Sequence, residues 1–277
     1  MTSFQELIAN KWEHQKFVCV GLDPDYSLLP RAVKKPDSIE ESIVLFNLAI
    51  IDATASLICA FKPNTAFYEA YGIEGWSALK KTCDYIKSTY PHMPIILDAK
   101  RGDIESTNIG YTKMAFEWLN VDAITIQPYL GQKAVQPFLD YKNKGIIILA
   151  KTSNKGSDEF QDLTVARKKL YKYVAEQVVT HWNKNKNCAL VVGATYPEEL
   201  AEVRKIVGEM PILIPGIGAQ GGDIKKTVQA GKSKTGGMII NSSRGIIYAS
   251  GKKDFAHAAK LATEKIHLEV KKNYANT

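Results

Sequence analysis

Short apolar runs recur along the chain, separated by segments with the spacing of amphipathic helices. Eight runs end in turn residues and are typical of buried strands: 17–21, 56–61, 94–97, 123–126, 145–149, 189–192, 211–214 and 237–240. One helix is predicted from Leu200, Val203 and Val207, behind a Thr195-x-x-Glu198 capping box, and another near the C-terminus around 255–266. The pattern predicts strands and helices that alternate from end to end.

Several of these strands are apolar almost throughout, which is typical of a parallel sheet covered by helices. The 277 residues fit a (β/α)₈ TIM barrel, an α/β fold, as a single domain over residues 1–277. An extra N-terminal helix carrying Phe4, Leu7, Ile8 and Trp12 is predicted to pack against the barrel. The same periodicity also permits a doubly wound open sheet. The polar stretch 152–163 is predicted to be a mobile lid.

The composition narrows the class of protein. Hydrophobic residues make up 45% and charged residues 23%, which excludes a disordered or fibrous chain. No apolar run reaches membrane-spanning length, so we expect an intracellular, cytoplasmic protein without a membrane partner. The net charge of +7 comes from scattered lysines, which favours solvated helix faces and an anionic substrate over nucleic acid. The four cysteines are widely spaced and are predicted to be buried free thiols.

Charged residues cluster where the predicted strands end, which is where a barrel of this type builds its active site. They are Asp23 after the first strand, Lys62 with Asn64 after the second, Asp98, Lys100 and Asp103 after the third, and Lys151, Thr152 and Ser153 after the fifth. Because side chains alternate along a strand, Asp98 and Lys100 share a face, so two lysines and an aspartate are predicted to converge. Buried salt bridges that merely fill the barrel are the alternative.

The last two strands end in a second group of residues. A glycine-rich stretch, 215–223, precedes a helix, and Arg244 follows the last strand. Glycines allow close backbone approach and arginine binds phosphate in a fork, so this end predicts a phosphate site. All five histidines lie outside the strand ends, which disfavours histidine catalysis and histidine-ligated metal. Mg²⁺ on Asp23, Asp98 and Asp103 stays open but is not favoured beside two lysines.

The stretch Asp98-Ala-Lys-Arg-Gly-Asp103-Ile104 resembles the D-x-K-x-x-D signature of orotidine 5′-phosphate decarboxylases, in the D-A-K-R-G-D form of the family's second group. The motifs G-L-D-P at 21–24, F-K-P-N at 61–64, K-T-S-N at 151–154, P-G-I-G-A-Q-G-G at 215–222 and N-S-S-R at 241–244 follow in order. The resemblance covers nearly the whole chain. It implies conversion of orotidine monophosphate to UMP by a homodimer, without metal, cofactor or covalent intermediate.

The resemblance also implies roles for individual residues. Asp98 would stand against the substrate carboxylate, Lys100 would stabilise and protonate the C6 carbanion, and Lys62 and Asp103 would complete a Lys-Asp-Lys-Asp row. The implied contacts are Asp23 and Asn64 with the ribose or the charge network, Ser153 with the pyrimidine amide, and Gln220 and Arg244 with the phosphate. Thr107 would reach the ribose of a neighbouring subunit's ligand, with Ile104 beside it, and Thr152, Pro215 and Gly221 are also expected to bind substrate. Only four residues separate Pro215 from Gln220, a shorter phosphate loop than some relatives carry. Gln127 has no implied role.

Three alternatives remain at this point. A Mg²⁺-dependent decarboxylase or synthase of keto-sugar phosphates shares the D-x-K-x-x-D signature. A Schiff-base enzyme would use Lys100 or Lys151 as its nucleophile. A basic scaffold that binds nucleic acid would show affinity that falls steeply with salt.

Overall fold

The computed structural model describes residues 2–218 and 221–275, in which eight parallel strands form one sheet. The strands are β1 (Val18–Leu22), β2 (Ala60–Pro63), β3 (Ile96–Arg101), β4 (Ala123–Ile126), β5 (Gly145–Lys151), β6 (Cys188–Val192), β7 (Ile212–Pro215) and β8 (Met238–Ser242). Their order is β2-β1-β8-β7-β6-β5-β4-β3. The bridges Phe61↔Ile95 and Asn64↔Asp98 join β2 to β3, so the ring closes. The predicted barrel is confirmed, and the open sheet is excluded.

Helices surround this ring. They are α1 (Phe4–Glu13), α2 (Ile39–Thr54), α3 (Ala66–Glu69), α4 (Gly72–Thr89), α5 (Glu105–Thr112), α6 (Gly131–Leu139), α7 (Asp158–Gln161), α8 (Leu170–Gln177), α9 (Pro197–Val207), α10 (Ile224–Gly231), α11 (Arg244–Ile247) and α12 (Phe255–Ala275). Wider π-helical turns, Lys113–Trp118 and Val178–Trp182, extend α5 and α8, and a two-residue hairpin (Thr164–Val165 with Lys168–Lys169) precedes α8. No helix in the described ranges has both the length and the apolar content to cross a bilayer.

Helix α1 packs against the barrel, as predicted, and it lies at the N-terminal ends of the strands. Its capping box is formed by Ser3 and Glu6, whose carboxylate accepts the Ser3 N–H at 2.7 Å. Phe4 packs where Gly145 opens β5, since a Cβ on Gly145 would lie 2.3 Å from the Phe4 ring. Trp12 donates its indole N–H to the Met238 carbonyl at 2.8 Å, where β8 begins. The helix therefore leaves the opposite end of the barrel free for a site.

Two local predictions are wrong. The capping box on Thr195 does not form: α9 begins at Pro197 with Tyr196 as its N-cap, and no described residue bonds the Thr195 hydroxyl. A proline suits the first helical position because it has no N–H to cap there. The second predicted strand, 56–61, begins only at Ala60, because residues 55–57 form a 3₁₀ turn.

The regular ladder is interrupted in β3 and β5. Between β3 and β4 the paired residues are Leu97↔Ile124 and then Arg101↔Ile126, so three residues of β3 stand opposite one residue of β4. Between β5 and β6 the register shifts after Leu149. Bulges of this kind redirect side chains at the end of a strand. Both lie at the end of the barrel where the charged motifs stand.

Candidate active site

A cavity of about 720 Å³ opens at the C-terminal ends of the strands. Nine of the side chains predicted from the sequence line it: Asp23, Lys62, Asn64, Asp98, Lys100, Thr152, Ser153, Pro215 and Arg244. They come from β1, β2, β3, β5, β7 and β8 or the loops that follow. The strand ends of the closed barrel bring them together although more than 200 residues separate the first from the last.

Asp98 joins the two lysines at the base of this cavity. Lys62, which is 3% exposed, donates to Asp98 Oδ2 at 2.8 Å, and Lys100 donates to Oδ1 at 2.6 Å. Thr125 adds a third hydrogen bond, from its hydroxyl to Oδ1 at 2.9 Å. Asp98 itself is 9% exposed. The carboxylate is therefore held by two ammonium groups and a hydroxyl in a largely dry position.

The environment keeps this array charged. Burial alone would raise the pKa of Asp98, but the adjacent Lys62 and Lys100 ammonium groups outweigh it and hold the pKa well below its usual range. Burial likewise disfavours the charged form of Lys62, but the Asp98 and Asp23 carboxylates outweigh it and raise the pKa of Lys62 above its ordinary value. At neutral pH the cavity floor therefore carries fixed positive and negative charges.

Asp98 and Lys100 do meet, but regular strand alternation is not the reason. Lys100 has φ +45°, in the left-handed region, and lies in the bulge of β3. Its N–H donates to Thr125 Oγ1 at 3.0 Å. The bulge turns the Lys100 side chain back toward Asp98, and the predicted convergence arises from this irregularity.

Asp23 brings a further carboxylate to the cavity wall. It is 7% exposed, and its Oδ1 finds no hydrogen-bond donor in the described part of the chain. Ser243 packs close to Asp23 because Gly21 has no side chain. A Cβ on Gly21 would lie 1.8 Å from Ser243 Oγ. An unpartnered carboxylate oxygen in a cavity can accept a hydrogen bond from a ligand hydroxyl.

The glycine-rich loop after β7 and Arg244 form another part of the cavity wall. Gly216 and Gly218 have φ of +109° and +87°, a left-handed conformation that glycine adopts without strain. Pro215, Gly216 and Ile217 line the cavity, as does Arg244. No acidic side chain within 2–218 or 221–275 forms an ion pair with Arg244, so its guanidinium is free to bind an anion. Gln220, predicted to contact phosphate, lies outside the described residues.

The loop predicted to be a lid folds back on itself. Gln161, in α7, accepts the Thr152 N–H and donates to the Thr152 hydroxyl, both at 2.8 Å, and Gln161 also lines the cavity. Ser153 packs against Gly193, where a Cβ would lie 2.8 Å from the Ser153 Cβ. The loop thus presents polar groups to the cavity; that it is mobile stays a prediction.

Lys151 anchors the same loop through an ion pair with Asp162. Its side chain is 1% exposed, and its ammonium group pairs with Asp162 Oδ1 at 2.8 Å and lies 4.8 Å from the centre of the Tyr196 ring. Lys151 is not among the side chains that line the cavity in the described ranges. A Schiff base at Lys151 is therefore disfavoured, because the amine is paired and enclosed by protein.

Four predicted binding or catalytic residues do not line this cavity in the described part of the chain: Asp103, Ile104, Thr107 and Gly221. Asp103 continues past the end of β3, where its N–H donates to Asn108 Oδ1 at 3.1 Å and its carboxylate accepts the Ile104 N–H at 2.6 Å. Within this chain the row is therefore Lys62, Asp98 and Lys100. The fourth member does not fold back onto its own array.

Five polar residues of the cavity were not predicted as site residues: Asn154, Asn241 and Ser243, which lie in the quoted motifs, and Thr125 and Gln161, which lie in none. Thr125 is the one polar residue in the apolar strand β4, and that isolated hydroxyl was the available signal. Gln161 gave no such signal, because its position depends on the return of the loop. Gln127, left unassigned, donates to the Gly102 carbonyl at 3.2 Å, and its side chain occupies the space that a Cβ on Gly102 would need.

The carboxylates of the cavity do not form a metal-binding cluster. No group of three or more His, Cys, Asp or Glu side chains in residues 2–218 and 221–275 is arranged to hold a metal ion. Asp98 already accepts hydrogen bonds on both oxygens from lysines. The donor set present therefore fits an anionic organic ligand better than a divalent cation.

The closed barrel, the lysine–aspartate–lysine array and the arginine beside a glycine-rich loop define an enzyme that acts on a phosphorylated small molecule. Residues 16–259 match the family described as Orotidine 5'-phosphate decarboxylase / HUMPS family. The chain belongs to this family.

Relatives of known name agree over almost the full length. The chain is 51% identical to the orotidine 5'-phosphate decarboxylase of Janthinobacterium sp. (strain Marseille), over 93% of this chain and 94% of that protein. Among solved structures, the Leishmania donovani OMP decarboxylase is 38% identical with a TM-score of 0.83, covering 97% of this chain and 99% of that one. The Leishmania donovani UMP synthase is 40% identical with a TM-score of 0.85; the match covers 98% of this chain but spans 57% of that longer protein.

Proposed function

We propose that the cavity decarboxylates orotidine 5′-monophosphate through the charges of Asp98, Lys100 and Lys62. The conversion itself follows from the family and from relatives that match nearly end to end: the chain is an orotidine 5′-phosphate decarboxylase, an enzyme that forms UMP in pyrimidine biosynthesis. The observation that carries the mechanism is the lysine–aspartate–lysine array, which lines the same cavity as Arg244.

The substrate carries negative charge at two ends, a phosphate and a carboxylate on C6. Arg244 and the glycine-rich loop offer an anion site for the phosphate, and this orientation brings the pyrimidine toward the array. Asp98, whose pKa is held low, stays ionised and repels the substrate carboxylate in the ground state. The repulsion disappears when the carboxylate becomes neutral CO₂, so it raises the energy of the ground state more than that of the transition state.

The bond between C6 and the carboxylate breaks, CO₂ leaves, and the electron pair remains on C6. The Lys100 ammonium lies beside Asp98 and stabilises this developing negative charge, since a cation already oriented toward the reacting carbon needs no reorganisation in the transition state. Lys100 then gives a proton to C6 and regains one from water, so orotidine monophosphate and one proton yield UMP and CO₂. Lys62 stays protonated and keeps Asp98 in place.

Asp23 and Asn64 are proposed to bind the ribose hydroxyls. Both line the same cavity as the array and Arg244, and Asp23 has an unpartnered carboxylate oxygen. Thr152 and Ser153 are proposed to bind the pyrimidine edge, because the Gln161 bonds and Gly193 fix them at the cavity wall. Gln220 and Gly221 are proposed to join Pro215 and Arg244 at the phosphate.

We also propose a homodimer in which Asp103 completes the array of its neighbour, with Ile104 and Thr107 beside it. Exposed apolar side chains just before α5 and just before α6 support this: Ile104 is 58% exposed and Tyr129 is 87% exposed. Helices α5 and α6, which flank these side chains, pack together and would present them as one surface. Measuring the mass in solution tests this, with twice the chain mass expected.

Residues 1–277 are proposed to form one domain, since β1 pairs with β8 and so ties the two ends of the chain together. A cytoplasmic location is part of the same proposal. All four cysteines, each in the described part of the chain, are free and buried, which fits a reducing compartment.

An absorbance assay with orotidine monophosphate tests the mechanism. The enzyme is expected to keep its turnover in excess chelator, and Lys100→Ala is expected to lose nearly all turnover while still binding UMP. Loss of activity in chelator with recovery on adding Mg²⁺ would instead favour the metal-dependent chemistry of keto-sugar phosphates. Borohydride with substrate is expected to trap no covalent adduct, since Lys100 acts as a cation and a proton donor.

A further inference from the structure

The bulge of β3 places the reacting charges around a single residue of β4. The register runs from Leu97↔Ile124 to Arg101↔Ile126, so Asp98, Ala99 and Lys100 all stand opposite Thr125. Thr125 is 1% exposed and lines the cavity. Its side chain is therefore adjacent both to the Asp98 carboxylate and to the backbone of Lys100.

Both hydrogen-bonding functions of the Thr125 hydroxyl are used. Its oxygen accepts the Lys100 N–H at 3.0 Å, and it lies 2.9 Å from Asp98 Oδ1. A backbone N–H can only donate and an ionised carboxylate can only accept, so the hydroxyl hydrogen must point to Asp98. One hydroxyl thus connects the backbone of the proposed proton donor to the carboxylate beside it.

The Lys100 backbone needs such support. Its φ of +45° is unfavourable for a residue with a side chain, and such conformations persist where surrounding contacts fix them. The N–H bond to Thr125 is one such contact, made at the strained residue itself. The Lys100 side chain is 47% exposed, so it has room to move if this backbone shifts.

We propose that Thr125 is a positioning residue for the decarboxylation: its hydroxyl fixes the left-handed backbone of Lys100 and the orientation of the Asp98 carboxylate, and so sets the place of the Lys100 ammonium. The inference rests on the roles proposed above for Asp98 and Lys100. Because Thr125 lies on β4, away from the phosphate loops of β7 and β8, its hydroxyl contributes to turnover and little to nucleotide affinity.

Four variants of the full-length enzyme test this. Thr125→Val keeps the shape and removes the hydroxyl, Thr125→Ala also removes it, and Thr125→Ser keeps it. Thr263→Val is the matched control, since Thr263 is also a buried threonine that donates a hydrogen bond, to the Ala259 carbonyl in α12, and it does not line the cavity. Titration with UMP gives the affinity and the number of intact sites, and turnover of orotidine monophosphate is expressed per intact site.

Thr125→Val and Thr125→Ala are expected to lower kcat about ten- to a hundredfold, the effect of losing a hydrogen bond to a charged group. UMP affinity is expected to stay within about threefold, and Thr125→Ser and Thr263→Val are expected to match the unmodified enzyme within about the same factor. This division between kcat and affinity, with rescue by serine, separates positioning from general damage to the fold.

Three results would overturn the inference: kcat of Thr125→Val within about threefold of the unmodified enzyme, a serine variant as slow as the valine variant, or equal losses of kcat and UMP affinity. If Thr125→Val yields no intact sites, kcat of Thr125→Ala is compared with kcat of Thr125→Ser. The inference is then overturned if the alanine variant is as fast as the serine variant. Lys100→Ala and Asp98→Asn are measured in parallel. If both keep their turnover, the proposed mechanism is wrong, whereas if both lose it and Thr125→Val does not, only the role of Thr125 is wrong.

Discussion

Replacing Asp98 with asparagine removes the negative charge that holds Lys62 in the barrel. The Lys62 and Asp98 side chains are only 4% and 11% exposed, so this ion pair is buried. Removing one partner of a buried pair leaves an uncompensated charge and costs about 3–5 kcal/mol. The second ion pair, between Lys100 and Asp98, adds little to the free energy of unfolding. The Lys100 side chain is 47% exposed, and ion pairs exposed to water contribute about 0–1 kcal/mol. We therefore expect Asp98→Asn to lower the free energy of unfolding by about 3–5 kcal/mol at pH 7.

The loss is expected to depend on pH. In the unmodified protein the pKa of Lys62 is raised despite burial, so its stabilising contribution is complete below the unfolded-state pKa, about 10.4, and is lost only above it. Asp98, with a lowered pKa, stabilises above about pH 4 and loses this contribution as the pH falls. In Asp98→Asn only the Asp23 carboxylate is left to offset burial, and we expect burial to outweigh it and to lower the pKa of Lys62. Lys62 then loses its proton at a lower pH in the folded variant than in the unfolded chain. The stability deficit of the variant therefore shrinks as the pH rises from 7 toward 10.

Urea denaturation at pH 7 and at pH 9.5, at one protein concentration, measures both effects. Asp84→Asn is the control, because Asp84 is 55% exposed in its pair with Lys80 and is expected to change stability by less than about 0.5 kcal/mol. A loss below about 1 kcal/mol for Asp98→Asn at pH 7, or a deficit that grows with pH, would refute the buried pair.

Three further substitutions probe the rest of the site. Arg244→Ala is expected to weaken UMP binding by about 2–3 kcal/mol in calorimetry, with partial rescue by guanidinium; equal weakening of uridine would contradict a phosphate role. Gly193→Ala introduces a Cβ 2.8 Å from the Ser153 Cβ and 3.0 Å from its Cα, so Ser153 must shift, and KM is expected to rise about fivefold or more; an unchanged KM would contradict the pyrimidine role of Ser153. Asp162→Asn leaves the buried Lys151 ammonium without its counter-charge and is expected to destabilise by about 3 kcal/mol in urea; a neutral result would show that the pair does not anchor the loop.

The barrel could be predicted from the sequence because its signals are local and repeated. Eight apolar runs and the helical spacing between them fix which segments become strands, and strand β4 has the predicted bounds, Ala123–Ile126. The prediction of a capping box on Thr195 was wrong because a second local preference applies nearby. Proline favours the first position of a helix, and α9 begins at Pro197. Whether the sheet closes depends on β2 meeting β3, which the pattern alone leaves open.

The site was predictable as far as charge and strand ends define it. Nine predicted side chains line one cavity, because the ends of parallel strands meet at one face of a barrel. The details of the array depend on tertiary contacts that no local pattern encodes. Lys100 reaches Asp98 through a bulge, and Thr125 contacts both. Asp103 lies away from the array of its own chain. The three-residue spacing from Lys100 to Asp103 permitted this position but did not establish it.

Mixing two inactive variants, Lys100→Ala and Asp103→Ala, tests most directly that the array of one subunit is completed by its neighbour. In a mixed dimer one site combines an intact Lys100 with the intact Asp103 of the partner subunit, and the other site receives both defects. After random exchange of subunits, half of the dimers are mixed, so activity is expected to return to about a quarter of the unmodified level. If mass measurements show mixed dimers and the activity stays at the level of the separate variants, the shared site is contradicted.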